Sequence, residues 1–155
     1  MGMVTGLIIL VVVLAAASVA GFAFRARQGR FRPAPSAAAS TSPVTSAGSV
    51  LTAADLGAPL GERATLVQFS TEYCTYCGPT RQLLTEVAGE QHGVAFVEID
   101  AAERMDLTKR LRVLATPTVL LLGPSGTIES RASGKPRKSE LRTAVGQVVG
   151  AEAAS

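Results

Sequence analysis

The order of apolar segments along this chain predicts an α/β fold, a mixed sheet with helices on both faces. Short apolar runs bounded by turn-formers, at 64–70, 94–99 and 118–122, read as buried strands. Helical periodicity follows the first two of them, and Pro124-Ser125-Gly126 follows the third as a tight turn leading into a return strand. The resulting order is β-α-β-α-β-β-α. A length of 155 residues has room for one domain of ordinary size with accessories.

The accessory comes first. Apolar residues make up 47% of the chain and charged residues only 17%, a balance too greasy for a small domain, and the excess is concentrated at the start. After a stub of residues 1–3, no residue from Val4 to Phe24 is charged, and Leu7–Leu14 is a run of Leu, Ile and Val alone. About 20 such residues cross the hydrocarbon core of a bilayer, so residues 4–24 are predicted to form a single transmembrane helix. The rival is a cleaved signal peptide, because Ser18-Val19-Ala20 offers the small residues of a cleavage site. A signal peptide, however, wants basic residues ahead of its apolar run, and here Arg25, Arg27, Arg30 and Arg32 come after it. Arginines on that flank predict the N-terminus outside and the C-terminal domain in the cytoplasm; an extracytoplasmic domain is the alternative.

Those four arginines also dispose of the net charge of +3, since without them the chain is near neutral. A nucleic-acid partner is therefore not expected; the basic cluster is read as a stop-transfer and headgroup contact. Pro33 to Pro43 is rich in small residues and proline and lacks both charge and apolar periodicity, so residues 25–49 are predicted to be a basic juxtamembrane segment followed by a flexible linker. The folded domain is expected over 50–150, with a tail at 151–155.

Within the domain, Thr52 is positioned to cap a short helix over Leu51–Leu56. Ala64–Ser70 is the first central strand. Leu83, Leu84, Val87 and Ala88 recur at helical spacing after Cys77, and Gly89 and Gly93 mark the end of that helix. Val94–Ile99 is the next strand, Arg104–Leu111 a second helix, Thr118–Leu122 and Thr127–Ala132 a hairpin. Ser139 is a candidate cap for a last helix running to about Val149.

Cys74-Thr75-Tyr76-Cys77 falls where the first central strand gives way to a helix. Cysteines three apart bring their sulfurs within bonding reach. A cysteine at a helix N-terminus is stabilised as thiolate by the free N–H groups and the positive end of the dipole, which lowers its pKa below the ~8.5 of a free thiol. The spacing suits a two-step exchange: Cys74 attacks a disulfide, and Cys77 resolves the mixed disulfide. Zinc would need about four ligands, and beyond this pair only His92, at a helix end beside Gly93, offers a nitrogen; it reads as solvated. With two cysteines in all there is no structural disulfide framework. The second element is Thr116-Pro117-Thr118, a proline at the head of an apolar strand. Proline lacks the N–H a ladder needs, but a cis Thr116–Pro117 bond would turn the Thr116 backbone outward, where it could pair with an incoming peptide.

Strand, Cys74–Pro79, helix, strand ending Glu98-Ile99-Asp100, helix, Thr116-Pro117-Thr118, hairpin and Gly134 in this order resemble the thioredoxin family over about residues 50–150. The resemblance implies a thioredoxin-like fold, Cys74 as nucleophile, Cys77 as resolving thiol, a cis Pro117, Thr116 offering backbone to substrate and Gly134 on the substrate-binding surface. No cofactor is implied beyond the redox-active pair. The partners implied are a disulfide-bearing protein substrate and a dithiol electron donor, such as a thioredoxin reductase-like or membrane redox protein.

The sequence departs from the family pattern in several places. The dipeptide between the cysteines is Thr75-Tyr76, Tyr73 stands where a tryptophan is usual, and Gly78-Pro79 follows the second cysteine. Tyr73 and Tyr76 are read as shielding the sulfurs and offering apolar contact to substrate. The family's buried aspartate is replaced by Gln68 and its partner lysine by Phe96, which predicts a neutral pair beneath the cysteines and leaves water, Glu72 or the leaving sulfur to take the Cys77 proton. Lys135-Pro136-Arg137-Lys138 reads as the solvated start of a helix, or as docking for an acidic partner. The function expected is that of a membrane-tethered thiol-disulfide oxidoreductase acting as a reductase. The alternatives are an extracytoplasmic oxidant or haem-assembly reductase, and a non-catalytic redox-sensing or binding module.

Overall fold

A computed structural model describes residues 2–27, 32–33 and 50–152. The elements are α1 (Gly2–Arg27), β1 (Arg32–Pro33), α2 (Ala53–Leu56), β2 (Ala64–Ser70), α3 (Cys77–Gly89), β3 (Val94–Asp100), α4 (Met105–Arg110), β4 (Thr118–Leu122), β5 (Ile128–Ser133) and α5 (Lys138–Glu152). The strands form one sheet in the order β1-β5-β4-β2-β3, with β2 parallel to β3 and every other neighbour antiparallel. This is the mixed sheet expected, with its helices on both faces.

β2 occupies an interior position and all seven of its residues are buried, as the unbroken apolar run requires. Alternate side chains go to opposite faces. Ala64 and Leu66 join Val119 and Leu121 of β4 beneath Leu83, Leu84 and Val87 of α3 and Leu141, Val145 and Val149 of α5. Val67 and Phe69 join Leu120 and Leu122 on the other face, covered by Leu56 of α2 and Leu107 of α4. Each such leucine is worth about 2–5 kcal/mol against truncation to alanine, so these two clusters hold the domain together.

The short α2 is fastened at both ends. Thr52 and Asp55 form a reciprocal capping box. Asp55 also receives Arg110 from α4 at 2.7 Å, while Arg104 donates to the Asp55 carbonyl at 2.7 Å. Ser139, expected as the cap of the last helix, instead lies inside the first turn of α5, which starts one residue earlier; its carbonyl accepts the Thr143 hydroxyl.

The N-terminal region differs from the reading of a span at 4–24 followed by linker. α1 continues past Phe24 to Arg27, and Arg32–Pro33, expected in the linker, pair with Arg131 and Ser130 as an edge strand. The edge pairing has no apolar signature, which is why composition assigned it to the linker. The described apolar side chains of α1, Ile8–Leu14 and Val19, are all more than half exposed. Among the described residues no helix is long and apolar enough to cross a membrane, so the spanning helix finds no support in the fold. The linker from 34 to 49 and the tail from 153 lie outside the described residues.

The β4–β5 turn brings its backbone close to that of Leu51. Gly126 has φ 80°, its carbonyl accepts the Leu51 N–H at 2.8 Å, and an added Cβ would lie 1.9 Å from the Leu51 carbonyl oxygen. Gly126→Ala should therefore cost about 2 kcal/mol or more in urea unfolding. Gly146, in α5 with open space around it, should respond the other way: Gly146→Ala is expected to gain about 0.5–1 kcal/mol.

Candidate active site

At the end of β2 the chain makes two successive turns before α3 begins. The Cys74 N–H donates to the Thr71 carbonyl and the Cys77 N–H to the Cys74 carbonyl, each at 3.2 Å. α3 starts at Cys77 with Tyr76 as its N-cap. Cys74 thus stands one turn ahead of the helix rather than at its N-terminus as the sequence suggested, because a turn is needed to carry the chain from the sheet to the helix axis. Cys74 is half-buried, Cys77 is 3% exposed, and a disulfide joins them with their Cα atoms 5.4 Å apart. A partner from solvent can therefore reach Cys74 but not Cys77.

Thr71 ties this turn to the second motif. Its hydroxyl lies 3.1 Å from that of Thr116, and the Thr116–Pro117 peptide is cis. Gly134, at φ 86°, donates its N–H to the Pro117 carbonyl at 2.7 Å. The Thr118 hydroxyl closes the loop on the Ala115 carbonyl. Paired residues of β4 begin at Thr118, so Thr116 stands outside the ladder and is part-exposed. Tyr73 and Tyr76, flanking Cys74, are 92% and 57% exposed, so both present apolar ring surface to solvent. Leu114, equally exposed at 92%, was not singled out from sequence: a lone apolar residue in a loop carries no periodic signal.

Beneath the disulfide lies Gln68, fully buried. Its Nε2 donates to the Cys77 carbonyl at 3.0 Å and contacts Glu98 Oε1 at 3.4 Å. The neighbour of Gln68 is therefore an acid and not a neutral residue. The register of β2 against β3 pairs Gln68 with Glu98 and Leu66 with Phe96, and Phe96 packs part-buried among the residues under α3 and α5. Arg81, from α3, grips Glu98 with two bonds, at 2.5 and 2.8 Å. Burial pushes the Glu98 carboxyl up, but the bonds from Arg81 and Ser70 and the Arg81 charge prevail and hold it below the ordinary glutamate value.

The remaining singled-out residues are on the surface. Glu72 and His92 are exposed. In the basic stretch Lys138 pairs with Glu86 of α3 and with Glu90 at its C-terminal cap, and Arg137 pairs with Glu140, which uses these charges within the fold and favours the helix-start reading. Among the described residues no group of three or more His, Cys, Asp or Glu is placed to hold a metal ion.

What this arrangement can do chemically is exchange a disulfide through one reachable cysteine, and a chain that carries it on this sheet is a thiol-disulfide oxidoreductase. The family model described as thioredoxin matches residues 52–147, and the chain belongs to the thioredoxin family. Solved structures similar to it include chloroplastic thioredoxin z, at 27% identity and TM-score 0.51 over 56% of this chain and 79% of that one. Two others speak to the fold alone: thioredoxin-2 of a malaria parasite, at 15% identity and TM-score 0.51 over 55% and 82% of the two chains, and a mutant thioredoxin from Halobacterium salinarum, at 22% and 0.50 over 57% and 76%. No curated protein matches the chain.

The Arg81–Glu98 pair has a signed pH signature. A carboxyl whose pKa is lowered on folding stabilises the fold above its unfolded pKa, and that contribution is lost as pH falls through the folded value. Arg81→Met should then lose less stability than the parent between about pH 7 and about pH 3 in urea titrations. An equal loss in both proteins would show that the pair does not govern Glu98.

Proposed function

We propose that this chain is a membrane-tethered thiol-disulfide reductase with Cys74 as nucleophile and Cys77 as resolving thiol. The observation that carries the roles is the asymmetry of the pair: Cys74 is part-exposed and joined through Thr71 to Thr116 of the cis Thr116–Pro117 peptide, while Cys77 is buried as the first residue of α3. In the dithiol form the Cys74 thiolate attacks one sulfur of a substrate disulfide, forms a mixed disulfide and releases the other sulfur as a thiolate. Cys77 then gives up its proton and attacks Cys74. The second substrate sulfur departs, leaving a Cys74–Cys77 disulfide and a substrate dithiol, with two electrons passed to the substrate. A dithiol donor restores the pair. Thr116, outside the ladder of β4, offers backbone to an extended substrate segment, and Tyr73, Tyr76, Leu114 and Gly134 complete the surface around it.

The tether rests on the sequence, on the uncharged stretch Val4–Phe24 and the arginines that follow it. The same arginines favour a cytoplasmic domain, and a cytoplasmic domain favours reduction. A reporter enzyme active only outside the membrane, fused after Ser155, should be silent; strong activity would place the domain outside and turn the direction of electron flow toward oxidation or haem-assembly reduction.

The roles are tested with the full chain in detergent and insulin as a disulfide substrate. With a dithiol donor the parent should reduce insulin catalytically, and Cys74→Ser should abolish turnover. Cys77→Ser should instead accumulate a mixed disulfide through Cys74. Trapping by Cys74→Ser and not by Cys77→Ser would exchange the two assignments.

A further inference from the structure

Gln68 is a neutral side chain wholly buried beneath a pair of residues whose hydrogen-bonding capacity changes with oxidation state. Its amide is oriented by two acceptors, the Cys77 carbonyl and the Glu98 carboxylate, both facing Nε2. Turning the amide over would bring its oxygen against two others, so Oε1 must take the remaining direction. There Oε1 is buried and has no hydrogen-bond partner among the described residues. An unpaired buried acceptor penalises the state that contains it. That state is the disulfide, in which neither sulfur carries a proton.

Reduction changes the inventory. Two electrons and two protons convert the Cys74–Cys77 disulfide into two thiols, of which Cys74 releases its proton more readily because it is the more exposed. Cys77, in the first turn of α3 and 3% exposed, keeps an S–H where water cannot serve as its partner. We propose that Gln68 Oε1 accepts this S–H in the dithiol form, so that Gln68 is a positioning residue that favours the reduced pair and keeps the proton on Cys77. Glu98, held by Arg81, fixes the amide in the orientation that makes this possible. The inference rests on the dithiol/disulfide chemistry of the pair; it requires neither the tether nor a direction of electron flow.

The test is the equilibrium of the full chain with glutathione buffers. Gln68→Leu removes the unpaired acceptor from the disulfide form and the S–H partner from the dithiol form, and should shift the equilibrium toward the disulfide by three- to tenfold. A tenfold shift lowers the potential of this two-electron couple by about 30 mV. By the same cycle, urea unfolding should show the substitution costing the dithiol form more stability than the disulfide form. Equal changes in the two forms with an unmoved equilibrium would overturn the proposal and leave Gln68 a purely structural residue. If the leucine variant does not fold, Gln68→Met, unbranched and of the same reach, replaces it. If neither folds, the parent decides by nuclear magnetic resonance: the side-chain carbonyl carbon of Gln68 should shift downfield on reduction, and an unshifted resonance would overturn the assignment. Insulin turnover in the parent is independent of this result, so failure here is distinguishable from failure of the cysteine roles.

Discussion

The redox end of this domain depends on the burial of β2 from both faces. A strand covered on both sides must find partners for its polar groups within the protein, and the polar residues of β2 find most of theirs by fastening the loops around it. The Thr65 hydroxyl accepts the Gly61 N–H at 2.9 Å at one end. Gln68 holds the first turn of α3 through the Cys77 carbonyl. The Ser70 carbonyl accepts the Ala101 N–H at 2.8 Å, which fixes where the chain leaves β3. Thr71, the next residue, supports the Cys74 turn with its carbonyl and meets Thr116 with its hydroxyl. The two motifs that are 42 residues apart in sequence, counting from Cys74 to Thr116, are thus brought together by the end of one strand.

Charge contributes little to holding this frame. The ion pairs joining α3 and its C-terminal cap to α5, Lys138 with Glu86 and Arg142 with Glu90, lie between side chains that are about a third to half exposed. Pairs of that kind are worth on the order of 0–1 kcal/mol, less than one buried leucine of the clusters they overlie. The same reasoning separates Arg131 from them. Its guanidinium donates to the carbonyls of Leu111 and Arg112 at 2.7 and 2.9 Å, where α4 ends. Burial lowers its pKa, yet these bonds serve carbonyls that the helix itself leaves open.

Local signals made much of this legible. Strands buried on both faces announce themselves as unbroken apolar runs, and the capping box of Thr52 and Asp55 and the turn at Gly126 are encoded within four or five residues. What was missed is non-local or aperiodic. Glu98 could be placed beside Gln68 only through the register between β2 and β3, which no spacing inside either strand reveals. The extra turn between Ser70 and Cys77 leaves no pattern, and strand and helix signals alone join α3 directly to the end of β2, with Cys74 at its start. β1 joins the sheet by backbone alone, and a two-residue edge strand containing Arg32 and Pro33 reads as linker in any composition argument.

The substitution of Gln68 and Glu98 for a wholly buried acid changes the electrostatics under the sulfurs without emptying the site of charge. The Glu98 side chain keeps 24% of its surface and a guanidinium partner, so it remains ionised without the desolvation cost of full burial. Between it and Cys77 stands an amide, which binds a carboxylate and a carbonyl through one nitrogen. The Arg81 guanidinium offsets the Glu98 charge, so what distinguishes the two cysteines is exposure: Cys77 is buried and Cys74 lies toward solvent. Burial opposes a thiolate on Cys77. That difference supports the proposed role of Cys74, the cysteine that a substrate can reach, as the attacking thiolate.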